Sequence, residues 1–156
     1  MKFLTGLISG IILIVAIGYT NMDKGSSMMF SEVQSKLSYE DTVKAVVDSY
    51  KKNGWSVLTV KDTNKSFMSK GKPSIGNITN IKVCNGKVAY RILKDDAHKH
   101  IITMMPCGVG VYEKNGKVYV ATMNISLMKN FFSGEERKVM DIVASDTQKI
   151  LAFLKQ

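Results

Sequence analysis

Apolar residues occur in three spacings along this chain, and each spacing predicts a different element. The first is an unbroken run from Phe3 to Met22 with no charged residue. At ~1.5 Å per residue a helix of that length crosses the hydrocarbon core of a bilayer. The second is alternation. It is weak from Met28 to Leu37, giving a first strand; Trp55–Val60, with its β-branched and aromatic residues, reads as a second strand and Ile78–Cys84 as a third. The third is the 3-4 spacing of helices. Val43, Val46, Val47 and Tyr50 follow Ser38, Glu40 and Asp41, so a capping hydroxyl and first-turn acids precede one buried stripe that ends at Asn53-Gly54. A shorter helix opens at Asn85-Gly86 and carries Val88, Ala89, Ile92 and Leu93.

The hairpin is the clearest local element. Asn115-Gly116 supplies the two positive-φ residues of a type I′ turn, and Cys107–Lys114 and Lys117–Asn124 alternate around it. Counting outward pairs Tyr112 with Tyr119, Val111 with Val120, and Gly110 with Ala121. Cys107, Val109, Val111, Val118 and Val120 then share the face turned to the helices. Gly108, Gly110, Ala121, Met123, Tyr112 and Tyr119 share the other.

A short helical piece with Leu127, Met128, Phe131 and Phe132 leads to Ser133, which with Glu136 reads as a capping box. The final helix has the stripe Val139, Val143, Ile150 and Leu154, interrupted by Asp146 and Thr147, so its middle is expected to be less deeply buried. From Lys61 to Gly76 the composition turns to Lys, Ser, Gly and Asn, predicting a long irregular loop. The order β-α-β-β-α-β-β-α lacks strict βαβ alternation. It predicts an α+β class with a mixed or antiparallel sheet, helices packed on one face, and an N-terminal transmembrane helix. The organisation expected is a signal anchor or signal peptide over 1–22, a linker over 23–27 and one domain over 28–156.

Flanking charge gives the apolar run a direction. Lys2 and the α-amino group precede it while Asp23 and Lys24 cancel after it, so the domain is expected outside the cytoplasm, in the periplasm if the cell is bacterial. Two fates stay open. Ala16 and Gly18 fit a small-x-small cleavage pattern that would secrete the domain, whereas continued apolar character through Ile17, Tyr19 and Met22 favours an uncleaved membrane anchor. The net charge of +9 would suggest nucleic acid in a cytoplasmic protein. In an exported one it points to anionic headgroups or acidic partners, so no nucleic-acid partner is expected. Lys61, Lys65, Lys70 and Lys72 form a loose cluster, and the other positives alternate with acids as on a solvated surface.

Two segments resemble the family called domain of unknown function 302 (DUF 302). They are Val83-Cys84-Asn85 with Ala89 and Leu93, and Met105-Pro106-Cys107 with Val109, Val111, Tyr112, Glu113 and the turn Asn115-Gly116. The resemblance covers about residues 28–130 and implies a small α+β domain, often exported or joined to a membrane segment. The chain departs at Gly86, where the family usually has Pro, which loosens the start of the following helix.

Candidate chemistry is sparse. Cys84 and Cys107 are the only cysteines, open to three readings: buried thiols, a disulfide in an oxidising compartment, or soft ligands to a transition metal or haem iron. In the last reading His98, His100, Met104 and Met105 would assist. The C-x-x-C and zinc spacings are missing, as is a paired motif that would create a reactive thiol. Asp95 and Asp96 diverge as consecutive residues do, and no nucleophile elbow or His-Glu-x-x-His helix occurs. An enzyme is therefore not expected.

Gly108, Gly110 and Ala121, flanked by Tyr112, Tyr119 and Met123, would leave a shallow trough for a flat small ligand or another sheet. The preferred expectation is a binding or interaction module at the outer membrane face, self-associating as a homodimer through its open sheet face. The alternative is a metal- or haem-binding or redox-linked module built on Cys84 and Cys107.

Overall fold

The structure is a computed structural model and describes residues 28–155. The apolar run Phe3–Met22, its cleavage site and the linker lie outside the described residues. Among the described residues no helix is long and apolar enough to cross a membrane.

Strand pairing organises the chain. The strands β1 (Phe30–Gln34), β2 (Ser56–Asp62), β3 (Ile78–Cys84), β4 (Cys107–Lys114) and β5 (Lys117–Met123) form one sheet in the order β1-β5-β4-β3-β2. Every pair is antiparallel. The β4–β5 hairpin has the expected register, with Tyr112 opposite Tyr119, Val111 opposite Val120 and Gly110 opposite Ala121. Its turn sets Asn115 at φ 54° and Gly116 at φ 69°, the two left-handed positions a type I′ turn requires. The expectation of a mixed or antiparallel sheet resolves to a purely antiparallel one.

Two long helices, α1 (Tyr39–Lys52) and α5 (Gly134–Ile150), the latter preceded by the single-turn α4 (Ile125–Met128), bury their stripes against the face carrying Ile81, Val83, Val109, Val111, Val118 and Val120. Val46 and Tyr50 of α1 meet Val143 and Ile150 of α5 in that core. At ~25 cal/mol per Å² of apolar surface, each such side chain stabilises by ~1.5–3 kcal/mol. A second cluster joins Ile92 from α3 (Gly86–Leu93) and Ile101 from a 3-10 helix (Asp96–Met104) to Val139 and Met140. The histidine-bearing segment is therefore regular and partly anchored.

Local capping explains several boundaries. Ser38 Oγ accepts from Asp41 N at 3.1 Å, starting α1 as expected. Asn85 Oδ1 accepts from Lys87 N at 3.2 Å and Val88 N at 3.4 Å, so α3 starts firmly although Gly86 replaces the family's Pro.

Three expectations are corrected. First, the stretch Lys61–Gly76 is not irregular throughout: β2 continues to Asp62, whose carboxylate accepts from Lys65 N at 2.8 Å and starts α2 (Thr63–Met68). That helix has no buried residue and hence no apolar stripe to betray it. Second, Ser133 and Glu136 do not form a capping box. Ser133 makes no side-chain cap bond, Gly134 adopts φ 54°, and the Glu136 carboxylate is drawn to the histidines. Third, the first strand is shorter than Met28–Leu37. The interruption in α5 is as expected, only partly buried, and its polar residues have partners: Asp146 Oδ2 accepts from Trp55 Nε1 at 3.0 Å and Thr147 hydrogen-bonds the Tyr50 phenol.

Candidate functional site

Alternation along the strands turns Gly108, Gly110, Tyr112, Tyr119, Ala121 and Met123 away from the α1–α5 face, bringing all six trough residues to one surface. A hollow of about 610 Å³ lies there. Gly108, Gly110 and Ala121 form its floor, and Met104, Met105, Met123 and Phe30 contribute apolar walls. In β3 the alternation that buries Ile81 and Val83 turns Asn80 and Lys82 outward, opposite Gly110 and Gly108, and both line the hollow.

Lys82 is the cation of this surface. A Cβ on Gly108 would lie 3.4 Å from Lys82 Nζ, so the ammonium rests over the glycine backbone in space that a side chain would contest. Among the described residues Lys82 forms no ion pair. The nearby Glu32 is already engaged: it accepts from Lys114 Nζ at 2.7 Å and from the Tyr112 phenol. Those bonds, Lys114's first, hold the Glu32 carboxyl below its ordinary value, while desolvation and then the bond to Glu32 push the Tyr112 phenol up to about 12. Tyr112 stacks on Tyr119 with ring centroids 6.0 Å apart, and Lys114 Nζ lies 4.6 Å from the Tyr119 centroid. The two tyrosines thus belong to a polar cluster at one border; they do not line the hollow.

The six candidate metal ligands separate into two places. Cys84, Cys107, Met104 and Met105 line one apolar cavity of about 40 Å³, together with Trp55 and Met140. Both cysteines are free and half-buried, and desolvation, with Cys84 adding to it, raises the Cys107 thiol. His98 and His100 instead meet Glu136, with Nδ1 and Nε2 at 2.9 and 3.4 Å from the same carboxylate oxygen. Among the described residues no three His, Cys, Asp or Glu side chains converge as a metal-holding group. A cavity of this size also has no room for a porphyrin. Asp95 caps the 3-10 helix through Ala97 N at 3.0 Å and Asp96 pairs with Lys99, so both acids have structural work.

Lys82, Asn80 and Phe30 were missed by the sequence reading. The signal was available for the first two, because period-two alternation in Ile78–Cys84 puts them on the polar face. Only the β3–β4 register, which no local motif specifies, tells which face that polar row shares.

A family model described as domain of unknown function DUF302 matches residues 31–155. Among solved structures the chain is similar to an uncharacterized conserved DUF302 protein from Bacillus stearothermophilus. The TM-score is 0.72 at 19% identity, covering 81% of this chain and 98% of that one. No curated protein matches. At that identity the structural likeness speaks for the fold alone, while the family match spans most of the sequence. The chain belongs to the DUF302 family.

Proposed function

We propose that this protein is a non-enzymatic binding module, held at the outer face of a membrane by its apolar N-terminal run, whose open sheet face receives a flat, largely apolar ligand bearing one anionic group. The observation behind this reading is the hollow with Lys82 over a backbone floor. Its volume falls within the range of about 300–1,000 Å³ usual for small-molecule sites. Methionine walls suit an adaptable apolar contact, and an ammonium without a carboxylate partner supplies orientation. Gly108 and Gly110 let a planar body approach the strands closely.

The test is calorimetric titration of the full chain in lipid nanodiscs with 2-naphthalenesulfonate, against empty nanodiscs. Saturable binding that Gly110→Leu removes is expected. Binding unchanged by that substitution, or no binding, overturns the reading. Self-association through the same face makes a competing demand on it, and sedimentation of the nanodisc-free chain in mild detergent distinguishes the two: a dimer dissociated by Gly110→Leu would assign the hollow to a second copy.

A further inference from the structure

We propose that the small cavity beneath the 3-10 helix is a site for a soft monovalent d10 ion, Cu(I), held by the sulfurs of Cys84 and Cys107 with a thioether of Met104 or Met105. This does not depend on the open-face reading, because neither cysteine lines the hollow; only Met104 and Met105 border both spaces, and the cavity's other walls, Trp55, Val88, Val139 and Met140, belong to it alone.

Five sulfur-bearing residues, Cys84, Cys107, Met104, Met105 and Met140, line a space of about 40 Å³ whose surroundings are otherwise almost wholly apolar. Two strand ends bring the cysteines to it: Cys107 begins β4 opposite Val83 on the helix-facing row, and Cys84, the last residue of β3 and on its alternate row, lines the cavity from the strand's end. The end of the 3-10 helix delivers Met104, with Met105 next in the chain. Thiolate and thioether sulfur select Cu(I) over harder ions, and an ion content with two or three ligands needs no fourth donor. Zn(II) prefers four N, S or O ligands in a tetrahedron, and the histidines that could complete one are committed to Glu136.

The step balances without a redox partner. Cu(I) enters as the monovalent ion, two S–H bonds break, two Cu–S bonds form, and two protons pass to solvent, leaving a bis-thiolate complex of charge −1. Apolar walls exclude the water that would assist oxidation to Cu(II).

The experiment titrates the reduced full chain in nanodiscs with Cu(I) under anaerobic conditions, in competition with bicinchoninate. One equivalent is expected, with Cu K-edge absorption showing a sulfur-only first shell. Affinity should fall at least 100-fold in Cys107→Ser and in Cys84→Ser, and about tenfold in Met104→Leu/Met105→Leu. Because Cys107 also packs in the core, the wild-type protein gives a second reading: one equivalent of Ag(I) should protect both thiols from alkylation, whereas Zn(II) should not. Nitrogen or oxygen scatterers in the shell, thiols that stay alkylatable with metal bound, or failure to compete with bicinchoninate would each overturn the assignment.

Discussion

Trp55 Nε1 donates to Asp146 Oδ2 at 3.0 Å, tying the residue that enters β2 to the middle of α5. Trp55 is only 4% exposed, so removing the acceptor strands an indole N–H where water reaches it poorly. Asp146→Ala is expected to cost about 1–3 kcal/mol, the penalty for leaving a buried donor unsatisfied. Urea unfolding followed by fluorescence reports it directly, since Trp55 is the single tryptophan. An unchanged midpoint would show that the bond does not support the fold.

The two serine starts of the long helices should respond unequally. Ser38 Oγ caps α1 through Asp41 N, so Ser38→Ala should lose ~1 kcal/mol. Ser133 makes no such bond, and Ser133→Ala should change stability by less than half of that. Equal losses in parallel thermal melts would restore the capping box that the structure lacks.

Acid should loosen the sheet border. Glu32 is held below its ordinary value of 4.5 by Lys114 and then Tyr112, so its contribution is complete above that value and is lost as pH falls through the lower folded-state value. Glu135, lowered by Arg91, and Asp141, lowered by Lys129, act in the same direction. Thermal midpoints measured across acidic pH should therefore fall below about 4.5, and less steeply in Glu32→Gln. A variant as acid-sensitive as wild type would remove Glu32 from this account.

Filling the hollow should separate binding from folding. A Cβ on Gly110 would sit 3.9 Å from its nearest neighbours, an ordinary contact, and β-propensity favours a side chain in a strand. Gly110→Leu should thus keep the melting midpoint within a few degrees while weakening 2-naphthalenesulfonate binding at least tenfold. Loss of both together would mean that the glycine serves the sheet and not a ligand.

Burial should also make the thiols slow. The raised Cys107 thiol has little thiolate at neutral pH, so alkylation of the folded protein at pH 8 should lag the urea-unfolded chain by an order of magnitude or more. Equal rates would contradict the packing described around the cavity.

Legibility in the sequence followed the range of the interaction. The Asn115-Gly116 turn determines the pairing of its own flanks, so the two faces of the hairpin could be read from the neighbouring positions alone. The same was true of α1, where cap, stripe and stop lie within one segment. Helix α2 escaped because it buries nothing, leaving only Asp62 as a signal. The six candidate ligands divide for the opposite reason: His98 and His100 are close to Met104 in sequence, yet Glu136, far along the chain, decides where their rings point. Lys82 was likewise visible as a polar strand residue but not as the ammonium above Gly108.

The placement of β1 at the sheet margin has a mechanical consequence. This strand pairs with β5 alone, and most of its residues are exposed. Tension transmitted through the N-terminal end would therefore be resisted by a single ladder, beginning at Phe30 against Met123, and would peel that ladder rung by rung before the four remaining strands felt the load.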